Sequence, residues 1–134
     1  MPHTFVIFGA SGDLTHRKLV PALYHLFRKG RLPKETRIVG FSRTPFTHGE
    51  WRSDLAKAVA RYVGNDFDPN LWERFSQNIF YQAGDIGRAD DFAALANLLR
   101  EIEHSEKSTR IYYLATAPQF YEPAIQQLGR SGLA

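Results

Sequence analysis

The stretch Phe5-Val6-Ile7-Phe8-Gly9-Ala10-Ser11-Gly12-Asp13-Leu14-Thr15-His16-Arg17-Lys18-Leu19 decides the fold. An unbroken apolar run stops at a turn of small residues, and a helical pattern begins at once. Glycine lets such a turn close without a Cβ in the way. The helix that follows offers unpaired N–H donors and the positive end of its dipole to an anion. Strand, glycine turn and helix, in that order, lay backbone amides against a phosphate. Gly9 and Gly12 fill two of the glycine places of a dinucleotide fingerprint, and Thr15 stands at the third. The glycines alone fit an ordinary tight turn as well; the strand before them and the helix after them favour a nucleotide.

Outward from this stretch, strand and helix patterns alternate. Phe5 to Phe8 is a short strand of the kind buried on both faces. The next helix carries core spacing at Leu19, Ala22, Leu23, Leu26 and Phe27, and ends at Gly30 with Pro33 beyond. Arg37 to Ser42 reads as a second strand. Glu50 to Val63 is a helix with Trp51, Leu55, Val59 and Tyr62 along one stripe. Asp68-Pro69 opens a short helix carrying Leu71, Trp72 and Phe75. Asn78 to Gln82 is a third strand, and Asp90 to Glu103 a helix with Phe92, Leu95, Leu99 and Ile102 inward. Thr109 to Thr116 is a fourth strand, followed by a helix from Phe120 to Leu128. Helices between strands imply parallel pairing with right-handed crossovers. The expected fold is α/β, a Rossmann-like open parallel sheet with helices on both faces. Ligands of such sheets bind beyond the carboxyl ends of the strands.

Composition narrows the function classes. A chain of 134 residues, 43% hydrophobic and 13% aromatic, supports one globular domain over 1–134 and argues against disorder. With no cysteine, disulfides and cysteine-based zinc sites are excluded. No apolar run approaches the roughly 20 residues of a membrane span, and Met1-Pro2-His3 is too short for a signal region, so a cytoplasmic protein without membrane contact is expected. The net charge of +3 is mild, and the basic residues form neither long blocks nor aromatic-lined platforms, which argues against nucleic acid. Arg28, Lys29 and Arg31 read as a solvated helix face. Lys18 lies beside the glycine turn, where an anionic partner carries more weight.

Two details sharpen the ligand. Pro21 falls inside the first helical pattern, where it removes a hydrogen bond to the carbonyl of Arg17; the helix is expected to kink there and aim Lys18 into the cleft. The second strand ends in Phe41-Ser42-Arg43-Thr44, where NAD-binding domains place an acidic residue for the ribose hydroxyls. No Asp or Glu occurs between Glu35 and Glu50. Arg43 can grip a phosphate with its planar fork, and Ser42 and Thr44 can add hydroxyl donors. One charged hydrogen bond, about 1.5–3 kcal/mol, favours NADP over NAD by about ten- to a hundredfold.

Gly9-Ala10-Ser11-Gly12-Asp13-Leu14-Thr15-His16-Arg17-Lys18-Leu19-Val20-Pro21-Ala22-Leu23-Tyr24 closely resembles the N-terminal signature of the glucose-6-phosphate dehydrogenase family. Gly30-Arg31-Leu32-Pro33, Ile38-Val39-Gly40-Phe41-Ser42-Arg43 and Arg110-Ile111-Tyr112-Tyr113-Leu114-Ala115-Thr116-Ala117-Pro118 follow in the family's order. The likeness covers essentially the whole chain, and its combination of Gly-Asp-Leu, Arg-Lys and Pro is not shared by Rossmann domains in general. It implies that Gly9, Ala10, Ser11, Gly12, Asp13, Leu14 and Thr15 hold the pyrophosphate of NADP, with Arg43 at the 2′-phosphate. It further implies that Lys18 reaches glucose 6-phosphate, and that Pro118 lies by the nicotinamide, where the family uses a cis peptide. Thr15 replaces the family's usual alanine, so a small packing change is expected there.

The resemblance also implies what this chain lacks. The family's further strand, its His-Asp pair and its large substrate domain have no counterpart here, so a C-terminally incomplete dinucleotide-binding domain, inactive alone, is expected. An oligomer is expected only of a complete enzyme. Oxidising the sugar's C1 hydroxyl needs a base, and no residue is an evident one. His16 reads as a solvated residue of the first helical turn, and His3, His25, His48 and His104 as structural or exposed. Two functions therefore stay open: the cofactor-binding portion of an NADP-dependent enzyme, and a non-catalytic NADP-binding or sensing module. A short-chain reductase is weaker, because no tyrosine has a lysine four residues on.

Overall fold

The computed structural model describes residues 2–33, 35–104 and 108–133. Strands β1 (His3–Phe8), β2 (Thr36–Ser42), β3 (Ile79–Ala83) and β4 (Thr109–Leu114) form one sheet in the order β3-β2-β1-β4. Every neighbouring pair is parallel. The chain builds outward from β1 to β3, then crosses back to place β4 on the other side of β1. The strand order thus reverses between β1 and β4, the kind of switch point at which open sheets hold ligands. The expected α/β architecture is what forms.

Two aromatic-rich cores sandwich the sheet. On one face, helices α1 (Val20–Arg28), α2 (His48–Val63) and α3 (Pro69–Ser76) place Tyr24, Trp51, Leu55, Trp72 and Phe75 over Ile7, Ile38 and Ile79. On the other, α4 (Ala89–Glu103) and α5 (Tyr121–Arg130) cover Val6, Phe8, Val39 and Phe41 with Phe92, Leu95, Leu99 and Leu128. Along β1, Ile7 faces one core while Val6 and Phe8 face the other. At β4 the cover is one-sided. Ile111 and Tyr113, which pair with Phe5 and Ile7, are 39% and 44% exposed. Helices lie on both faces of the other strands, as expected.

Local chemistry sets the helix ends. Thr47 caps α2 through a reciprocal capping box with Glu50, so this helix starts two residues before the periodicity predicts. Asp68 accepts from the N–H groups of Asn70 and Leu71, and Pro69 opens α3. The irregularity expected at Pro21 lies in the turn before it. Residues Thr15–Leu19 wind as a π-helical turn, with the N–H of Val20 bonding the carbonyl of Thr15. Proline has no N–H to offer, and a widened turn upstream re-registers the ladder ahead of it. Pro21 then occupies the first turn of α1, where it is tolerated.

Candidate functional site

The turn after β1 engages the carbonyls of Gly9, Ala10 and Gly12 and leaves the amides of Ser11, Asp13 and Leu14 open. Gly9 sits at φ 87°, and a Cβ there would lie 2.4 Å from the carbonyl oxygen of Ala115. Only glycine lets the turn pass this close to the end of β4. The Gly9 carbonyl accepts from Gly12 N–H at 2.9 Å and from Thr15 Oγ1 at 2.9 Å. Thr15 is fully buried, so the departure from the usual alanine supplies a hydroxyl that locks the turn. The Ala10 carbonyl accepts from Trp51 Nε1 at 3.2 Å. His16 places Nδ1 2.8 Å from the Gly12 carbonyl and Nε2 2.5 Å from Asp54 Oδ2. Among the described residues, the N–H groups of Ser11, Asp13 and Leu14 have no backbone or side-chain partner. Free amides at a helix start, with the neighbouring carbonyls satisfied, make an anion-binding concavity.

Beyond the strand ends lies a cleft of ≈ 400 Å³. Gly9, Ser11 and Gly12 line it from β1, and Ser42, Arg43 and Thr44 from β2. Gly84, Asp85 and Ile86 close it from β3, and Ala115, Thr116, Ala117 and Phe120 from β4. Arg43 is exposed and forms no ion pair among the described residues, so its guanidinium has no internal competitor for an anion. Glu50, the nearest following acid in sequence, is committed to its capping box. The hydroxyl of Thr116 is a buried oxygen with no hydrogen-bond partner at the cleft wall. Burial raises the Tyr81 hydroxyl above its ordinary value of 10.0 against the opposing bond from Ser42, so it keeps its proton at neutral pH. No three His, Cys, Asp or Glu among the described residues are grouped to hold a metal. No helix among them is long and apolar enough to cross a membrane.

The expected site residues divide into three groups. Gly9, Ser11, Gly12, Ser42 and Arg43 come together on the cleft. Ala10 is wholly buried and contributes through its backbone, while Asp13 and Leu14 contribute free N–H groups and exposed side chains. Asp13 pairs with Arg17 at 3.0 Å on the surface. Lys18 is exposed, without a hydrogen bond or ion pair among the described residues, and is not on the cleft wall. Pro118 neighbours the wall residue Ala117 and opens a single 3-10 turn; its peptide bond is trans, against the cis form expected by resemblance. Here proline occupies the first position of a helical turn, where its missing N–H leaves no bond unmade.

His16 corrects another expectation. It is not a solvated residue, for its side chain is 18% exposed and both ring nitrogens face oxygen acceptors. Neither nitrogen is free to take a proton from a substrate. His48 is structural as expected, accepting from Tyr81 N–H at 2.8 Å. Sequence reasoning missed Gly84 to Ile86, Thr116 and Phe120. Their one signal is position, since each follows the carboxyl end of a parallel strand.

Comparison with known proteins gives the family. The family described as "Glucose-6-phosphate dehydrogenase, NAD binding domain" matches residues 6–134. Glucose-6-phosphate 1-dehydrogenase of Chlamydia muridarum is 36% identical over 135 residues, covering 98% of this chain and 27% of that protein. The Treponema pallidum enzyme is 40% identical over 130 residues, covering 95% of this chain and 25% of that protein. A solved "Glucose-6-phosphate dehydrogenase in complex with its substrate glucose-6-phosphate" superposes with TM-score 0.86 at 27% identity, over 96% of this chain and 27% of that one. The Mycobacterium avium structure gives TM-score 0.85 at 26% identity, over 99% of this chain and 28% of that one. The chain spans about a quarter of the length of these relatives. With the free amides of the glycine turn, the unpaired arginine beyond β2 and a family match over nearly its full length, the chain belongs to the NAD-binding domain family of glucose-6-phosphate dehydrogenases.

Proposed function

We propose that this domain binds NADP across the carboxyl ends of β1, β2 and β4, and serves the oxidation of glucose 6-phosphate at C1. The observation that carries the reading is Arg43, an exposed and unpaired cation on the same cleft as the glycine turn. The residues fit a dinucleotide: Gly9 lets the turn lie against the end of β4, where a Cβ would collide, and Thr116 holds an unpartnered hydroxyl beside it. Ser11, Asp13 and Leu14 would donate backbone N–H groups to the pyrophosphate. Arg43 would hold the 2′-phosphate by bidentate hydrogen bonds. Ala117 and Pro118 would bound the nicotinamide end, and Lys18 would bind the sugar phosphate. When bound, NADP supplies the nicotinamide that takes the hydride from C1.

The proton of the C1 hydroxyl needs a base, and His16 is committed to Gly12 and Asp54. Oxidation is therefore proposed for this domain acting with the remainder of a protein as long as its relatives. The chain by itself is proposed to bind cofactor without turnover. Calorimetric titration with NADP and then NAD tests the binding. Affinity at least about tenfold higher for NADP supports the reading, and equal affinity rejects it. Reduction of NADP by glucose 6-phosphate with the purified chain would refute the absence of turnover.

A further inference from the structure

We propose that Tyr81 is a positioning residue for cofactor specificity, holding the loop that carries Arg43 so that its guanidinium meets a 2′-phosphate. The inference rests on the reading of Arg43 given above. Tyr81 stands on β3, one strand away, and its residue is only 4% exposed. Its hydroxyl lies 2.6 Å from the Thr44 carbonyl, 3.2 Å from the Ser42 carbonyl and 2.5 Å from Ser42 Oγ. These three oxygens flank Arg43 on both sides. One buried hydroxyl therefore holds the residues on either side of the arginine, Thr44 through its carbonyl and Ser42 through its Oγ.

The proton count assigns the directions. A tyrosine hydroxyl has one proton to give and lone pairs to receive. Both carbonyls only accept, so the Tyr81 proton goes to the nearer one, Thr44, and Ser42 Oγ–H donates to Tyr81. The Thr44 carbonyl also accepts from Phe46 N–H at 2.9 Å, which closes the loop beyond Arg43. The Tyr81 ring is held in turn, packed against Phe46 at 5.5 Å and Trp51 at 5.4 Å between ring centres. Trp51 bonds the Ala10 carbonyl, so the ring that steadies the arginine loop also rests on the one that steadies the glycine turn. This chain of contacts sets the spacing between the pyrophosphate and 2′-phosphate subsites. It also spends the Ser42 proton on Tyr81, leaving Arg43 as the discriminating donor at the 2′-phosphate.

The test is calorimetric binding of NADP and NAD to the full chain and to its Tyr81→Phe and Arg43→Gln variants, with folding checked by circular dichroism. Phe keeps the ring contacts and removes only the hydroxyl. NADP affinity is expected to fall about tenfold in Tyr81→Phe while NAD affinity stays within about twofold. A merely structural role would weaken both cofactors alike, and that outcome overturns the proposal. If Arg43→Gln abolishes the preference and Tyr81→Phe leaves it intact, the positioning role fails while the reading of Arg43 stands. If Arg43→Gln leaves the preference intact, both fail. Should Tyr81→Phe not fold, Ser42→Ala removes the other end of the hydroxyl pair. It is expected to lower the NADP preference in the same direction by about threefold, and an unchanged preference overturns the proposal.

Discussion

Nε2 of His16 lies 2.5 Å from Oδ2 of Asp54, while Nδ1 of the same ring lies 2.8 Å from the Gly12 carbonyl. One imidazole thus ties the second turn of α2 to the last glycine of the phosphate-binding turn. The contact leaves the amides of Ser11, Asp13 and Leu14 unused and fixes their backbone. Replacing Asp54 by Asn, or His16 by Ala, is expected to weaken NADP and NAD equally, by about three- to tenfold. Calorimetry with both cofactors checks this, and a selective loss of NADP alone would contradict it.

Gly9 and Gly30 both adopt positive φ, yet they are expected to respond differently to alanine. A Cβ on Gly9 meets the Ala115 carbonyl, whereas a Cβ on Gly30 meets nothing within 4 Å. Gly30→Ala carries only the backbone penalty, about 1 kcal/mol. Gly9→Ala adds a collision between two strand ends and is expected to cost more than about 2 kcal/mol and abolish cofactor binding. Urea denaturation of the two variants gives the comparison.

At the opposite end of the sheet, Glu103 is a carboxylate with 4% of its side chain exposed, and Arg110 Nη2 reaches its Oε1 at 2.6 Å. Thr4 Oγ1 donates to Oε2 at 2.9 Å. The bond to Glu103 is the main reason that Arg110 holds its proton above the usual range. Arg110→Met strands a buried charge and is expected to cost about 3–5 kcal/mol of stability. Cofactor affinity, measured below the lowered melting point, is expected to stay unchanged, because the pair lies at the amino ends of β1 and β4.

His48 links stability to pH. Burial, aided by Arg52 and opposed by Glu101, lowers its pKa from the ordinary 6.5. The unfolded chain therefore binds this proton at a pH where the folded chain does not. The stabilisation is complete above pH 6.5 and is lost as the pH falls through the folded value. Melting temperatures between pH 8 and pH 5, taken at about one-unit steps, are expected to drop on the acid side. His48→Asn is expected to flatten that drop, and an unaltered slope would remove His48 from the account.

The alternation of strand and helix was legible because each apolar run matches one period, and the glycine turn was legible because its function depends on local order. Arg43 could be read because its place after the second strand carries meaning in such sheets. What stayed hidden was contact at long sequence range. His16 meets Asp54 across 38 positions, and Ser42 meets Tyr81 across 39. A histidine in a polar helical turn gives no local sign of its partner, so it reads as solvated. Pro21 announces a lost hydrogen bond, but the sequence does not say that a widened turn at Thr15–Leu19 accommodates it. The peptide bond at Pro118 was inferred only by resemblance, and here it is trans.

The central claim, that the glycine turn and the Arg43 loop together hold NADP, is tested most directly by titrating the ¹⁵N-labelled chain with NADP and following its amide resonances. The largest shifts are expected at Ser11, Asp13, Leu14, Arg43 and Thr116, with the amides of Arg43 and Thr44 moving less when NAD replaces NADP. Shifts confined to another surface, such as the groove between α4 and α5 lined by Asn97 and Gln127, would contradict it.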